Sequence, residues 1–145
     1  PNPVRIGWRD SDWTPPAATD EPWLRMAART TSLGTVDLLL RRLAEHGCVD
    51  GVEPGADVTP AVVGALVLDT GDALVGVENP EPVSILDQLE TCGVLRSIAR
   101  RAAVPLDAVR RAWWISPHYR THPVAELGDR TAGVDSAYPS FLEQL

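Results

Sequence analysis

Lysine is absent from this sequence: all 13 basic residues are arginine. On its own this reads as compositional bias and not as a functional feature. Cysteine is scarce, with Cys48 and Cys92 alone, too few for a disulfide framework; two buried thiols are the simple reading. No apolar run approaches the roughly 20 residues that span a bilayer. Pro1-Asn2-Pro3-Val4-Arg5 lacks the apolar stretch of a secretion signal. A cytoplasmic protein without membrane contact is therefore expected. Neither a glycine-rich phosphate loop nor a nucleophile elbow is present, so no cofactor, no catalytic residue and no enzymatic activity is expected.

The 145 residues are enough for one domain, and 44% hydrophobic with 23% charged residues is ordinary globular composition. Net charge is −7, and it is unevenly spread. Between Leu43 and Leu95 there is no arginine, while acids recur throughout. From Arg96 to Arg130 arginines outnumber Asp107, Glu126 and Asp129. A basic segment of this kind can steer a polyanion even on an acidic molecule. The bland alternative is that these arginines form a solvated face or pair with the acidic middle.

Residues 1–22 are rich in proline, with Pro15-Pro16 forbidding a regular helix. They read as an extended arm anchored by Trp8 and Trp13, with Trp23 just beyond. Residues 23–145 read as one globular domain. Pro22 to Arg29 allows a short helix. Thr35 to Glu45 predicts a clearer one, with Val36, Leu39, Leu40 and Leu43 on one face and Gly47 as the C-terminal stop. Two β-rich runs flank Asp69-Thr70-Gly71-Asp72 and predict a hairpin, with a helix through 60–68 as the competing reading. Val83 to Thr91 predicts a helix that ends at Gly93. The expected fold is mainly α (α+β): a small single-domain helical fold with a helix-turn-helix-like pair at 95–114 and one β-hairpin.

That pair carries the functional reading. Leu95, Ile98, Ala99 and Ala102 fall at helical spacing, Ala103-Val104 makes a turn, and Pro105 opens a second helix with Leu106, Val109, Ala112 and Trp113 inside. Arg96, Arg100, Arg101, Arg110 and Arg111 then face outward, with Arg120 nearby. Ile98, Ala99, Ala102, Val104 and Val109 match the V/I-A-x-x-A-G-V-S-x-x-T-V pattern, so the segment resembles the helix-turn-helix of bacterial repressors. Trp114-Ile115-Ser116-Pro117 followed by Pro123-Val124-Ala125-Glu126-Leu127 is similar to the W-x-x-S-P and P-x-x-L signature of Xre/MbcA/ParS-type bacterial antitoxins. These resemblances imply a homodimeric DNA-binding regulator or antitoxin-like repressor. The six arginines would contact double-stranded DNA, and a toxin would be the protein partner. Arginine suits such contacts because its planar fork pairs bidentately with phosphate or guanine.

Three other readings stand beside it. A non-enzymatic interaction module, such as an immunity or accessory protein, would use the acidic middle and the tryptophan arm. Leu68-Asp69-Thr70-Gly71 matches the core of the aspartic protease motif, which needs two such aspartates and hence a dimer. His118 and His122, with His46, Cys48 and Cys92, could be assembled into a zinc set only if their segment were helical, and Pro117 and Pro123 oppose that; no metal is expected.

Overall fold

A computed structural model describes residues 2–9, 36–81, 83–128 and 130–131. Its elements are β1 (Val4–Trp8), α1 (helical over 36–45), β2 (Asp50–Val52), β3 (Asp57–Val58), β4 (Ala65–Asp69) and β5 (Leu74–Val77). They continue with α2 (Ile85–Thr91), β6 (Ala99–Arg100), β7 (Val104–Pro105), a 3-10 turn (Leu106–Ala108), β8 (Arg111–Ile115), β9 (Thr121–Leu127) and β10 (Arg130–Thr131).

The organising element is a mixed sheet of order β2-β1-β9-β8-β4-β5-β6, with β10 also paired to β9. Its centre, β9-β8-β4-β5, is antiparallel. Strand β1 runs parallel to both β2 and β9, and β6 runs parallel to β5. A second, two-stranded pairing joins β3 to β7.

The middle of the sheet is buried on both faces, and alternation assigns each side chain to one of them. On β4, Leu66 and Leu68 enter one core while Ala65 and Val67 enter the other. On β8, Ala112 and Trp114 share the first core, and Trp113 and Ile115 the second. The first core is completed by Val58, Val104 and Val109 around the β3–β7 pair, together with Ile6, Val124 and Leu127. The second is roofed by Ile85, Leu86 and Leu89 of α2. A smaller cluster joins Leu39 and Leu43 of α1 to Cys48. Two consecutive tryptophans therefore serve opposite sides of one strand.

Several local readings of the sequence coincide with observed elements. Helix is found over 36–45, and Gly47 follows it at φ +76°, with the Gly47 N–H donating to Ala44 O and the Cys48 N–H to Leu43 O. That left-handed residue closes the helix as a glycine can. The Asp69–Asp72 turn joins β4 to β5 in register Leu66↔Val77 through Asp69↔Leu74. Helix α2 begins after Ser84, whose hydroxyl accepts from the Asp87 N–H at 3.0 Å. The arm reading for residues 1–22 meets the described chain only at residues 2–9, where β1 lies between β2 and β9. Trp13, Trp23 and the short helix at 22–29 lie outside the described residues.

The mainly helical fold is overturned, and with it the helix-turn-helix. Residues 95–114 contain β6, β7, a single 3-10 turn and most of β8. Two helices this short are marginal without tertiary support. Here the tertiary partners favour extended chain. The open side of β5 takes up β6, with the Arg101 N–H donating to Gly76 O at 3.0 Å. From Val109 onward the run of Val, Trp, Trp and Ile is β-favouring and pairs along β4 from Ala65↔Ile115 to Asp69↔Arg111. Apolar spacing at 98–102 fits a helix only when this competition is ignored.

Candidate functional site

Asp50 is the most constrained polar residue described. It opens β2, is fully buried, and collects five donors. Oδ1 accepts from the N–H groups of Gly51 (2.8 Å), Val62 (2.9 Å) and Val63 (3.2 Å), and Oδ2 from Gly64 N (2.7 Å) and Trp114 Nε1 (2.9 Å). One carboxylate thus ties β2, the loop before β4, and β8. Burial pushes its carboxyl up, against the opposing pull of the Gly64, Trp114, Gly51 and Val63 donors. Its lone pairs are saturated, so it is a structural anchor with no capacity left to serve as a base. The approach is close enough to require glycine at 64: a Cβ there would meet the Trp114 indole and stand 2.7 Å from Ile115 O.

Trp114 continues the chain of contacts to His122, with ring centroids 5.7 Å apart. His122 Nδ1 lies 3.3 Å from Asn2 O. The β8–β9 turn is organised by Ser116, whose hydroxyl accepts from the His118 and Arg120 N–H groups. Thr121 is buried, and its hydroxyl has no hydrogen-bond partner among the described residues.

A second carboxylate, Glu78, follows β5 and closes the N-terminus of α2. It accepts from Ile85 N (3.0 Å), Leu86 N (3.1 Å) and the Ser84 hydroxyl. Helix N-termini attract anions because their N–H groups are unsatisfied and the dipole is positive there.

The six arginines singled out in the sequence are spread over distinct elements. Arg100 on β6 pairs with Asp87 (3.1 Å) and Glu90 (2.8 Å) of α2, and this contact holds the Glu90 carboxyl below its usual range. Arg111, first in β8, is bound by Asp69 at the end of β4 through Nε at 2.9 Å. Arg110 lies over Gly71 in the β4–β5 turn. Arg96, Arg101 and Arg120 sit exposed, in the α2–β6 link, after β6 and in the β8–β9 turn respectively. Arg100 and Arg111 therefore meet the acidic middle of the chain.

Asp69 is not placed for protease chemistry. Burial alone would raise its carboxyl, but the Gly71 N–H and Arg111 outweigh this and hold it below the usual range. Its oxygens are taken up by the Gly71 N–H of its own turn and by the Arg111 side chain, so it serves to join the turn and β8 to β4. Among the described residues no three or more His, Cys, Asp or Glu side chains gather as a metal set. Cys48 is a buried free thiol raised by its burial, and Cys92 is exposed and free.

Sequence reasoning missed both Asp50 and Glu78. The available signal was an acid set directly beside apolar strand residues, Asp50 before Gly51-Val52 and Glu78 after Val75-Gly76-Val77, where an unpaired charge is costly.

No protein-family profile matches the chain, and no curated protein does. Solved structures do. A fold IV transaminase from Curtobacterium pusillum is 17% identical at a TM-score of 0.60, over 97% of this chain and 50% of that one. The branched-chain amino acid aminotransferase of Escherichia coli is 14% identical at 0.60, over 98% and 50%. The branched-chain aminotransferase of the thermophilic archaeon Thermoproteus uzoniensis, solved with norvaline, is 13% identical at 0.58, over 98% and 48%. These matches overturn the helix-turn-helix and antitoxin resemblances and the readings built on them: a DNA-binding repressor, with duplex DNA or a toxin as its partner. They likewise stand against the dimeric protease and against the expectation that the chain is part of no enzyme, since the matched structures are aminotransferases. No helix among the described residues is long and apolar enough to cross a membrane. The chain has the fold of these transaminases over nearly all its length, and it spans about half of theirs.

Proposed function

We propose that this chain is one lobe of a transaminase-type enzyme, shaping a site for small amino acids and their 2-oxo acids. The observation that supports this is the continuity of the likeness, which runs through 97–98% of the chain and is not confined to one motif. The internal construction agrees with a scaffold role: Asp50, Trp114 and Glu78 are spent on holding loops and a helix to the sheet. Branched-chain amino acids, taken from the names of the matched enzymes, and the 2-oxo acids that amino transfer would make of them are the first ligands to test. We place the protein in the cytoplasm, where free thiols such as those of Cys48 and Cys92 persist.

The test is calorimetric titration of the protein with leucine, isoleucine, valine and glutamate, and with the corresponding 2-oxo acids. Saturable binding of at least one is expected. Absence of saturable binding across the whole set would overturn the reading.

A further inference from the structure

Enzymes that use pyridoxal phosphate hold it covalently through a lysine side-chain amine. Phosphate groups are commonly seated at helix N-termini or backbone nests. Tested against these two requirements, the sequence lacks the first, and the α2 N-terminus, among the described residues, does not offer the second. None of the 145 positions is lysine, so the covalent hold is missing whatever the conformation. The N-terminus of α2 is closed as well. Glu78 already supplies an anion there, accepting from Ile85 N and Leu86 N, and Asp87 adds a second negative charge in the first turn. An incoming phosphate would have to displace one carboxylate and approach another. Arg100 and Arg111 are committed to Glu90, Asp87 and Asp69, which leaves both of them neutralised by the chain's own acids.

Resting on the transaminase-type reading, we infer that this lobe keeps the transaminase fold without the cofactor anchor. It takes its amino-acid or 2-oxo-acid ligand by non-covalent contacts. Any amino transfer by a protein containing it draws the lysine amine from outside these 145 residues.

The experiment is titration of the protein with pyridoxal phosphate, followed by visible absorbance, then borohydride reduction and peptide mapping by mass spectrometry. No pyridoxyl mass is expected on any peptide of this sequence, the chain terminus excepted. An adduct confined to a lysine beyond it, or no adduct anywhere, agrees with the inference. A stoichiometric adduct on one of these peptides overturns it. So does one equivalent of cofactor retained by this chain through gel filtration without reduction. Calorimetric binding of amino and 2-oxo acids is read separately. Its failure removes the transaminase-type reading, whereas an adduct on these peptides removes only the missing anchor.

Discussion

Five donors converge on Asp50, and a carboxylate can serve them where a carboxamide cannot. In Asp50→Asn the amide nitrogen must face either the Gly64 and Trp114 donors or those of Gly51, Val62 and Val63. Leaving such groups unsatisfied in the interior costs on the order of 3 kcal/mol, to be measured as a lowered urea midpoint with unchanged slope. Asp69 gives a pH signature. Its folded carboxyl is held below the ordinary value, so the stability it contributes is complete above about pH 4, the unfolded value, and is lost as pH falls through the folded one. Asp69→Asn should show a shallower loss of stability between neutral pH and strong acid than the parent protein; identical acid profiles would contradict the Arg111 pairing. Neither role was legible in the sequence. Asp50 looks like a loop acid beside Gly51, and Asp69 like a turn residue, because the partners Trp114 and Arg111 lie on a distant strand.

Local elements were legible where local forces decide. The α1 stripe of Leu39 and Leu43, the Gly47 stop, the Ser84-capped α2 and the Asp69–Asp72 turn all follow from periodicity, capping and turn chemistry within a dozen residues. The segment 95–114 was not, because its conformation is set by β4 and β5, from 24 positions away (Val75↔Ala99) to 48 (Leu66↔Trp114). Leu95 and Ile98 do face a core, but from the irregular link between α2 and β6. This account predicts slow amide exchange at Val67 and Ala112, in the central β4–β8 pairing, with faster exchange across 96–103. Helical protection running through 98–102 would contradict it. Gly64→Ala should destabilise by about 1–3 kcal/mol, since the added methyl must push into the Trp114 indole or Ile115 O; thermal denaturation reads this directly.

At the scale of the molecule, charge polarity is real but has a structural use. The arginines of the third quarter reach back to acids of the middle, Arg100 to Asp87 and Glu90, Arg111 to Asp69, and so help bind β6 and β8 to the elements beside them. The trait that reads as mere bias, the lack of lysine, becomes decisive once the fold is known. It could not be weighed earlier, because an absence has chemical meaning only beside a proposed chemistry that uses the residue. The central claim is a transaminase fold that contributes no amine of its own. Its most direct measurement is the rate of amino transfer from leucine to a 2-oxo acid by the 145-residue chain under saturating pyridoxal phosphate. The account predicts a rate no greater than that of the free cofactor; turnover by the chain above that background would contradict it.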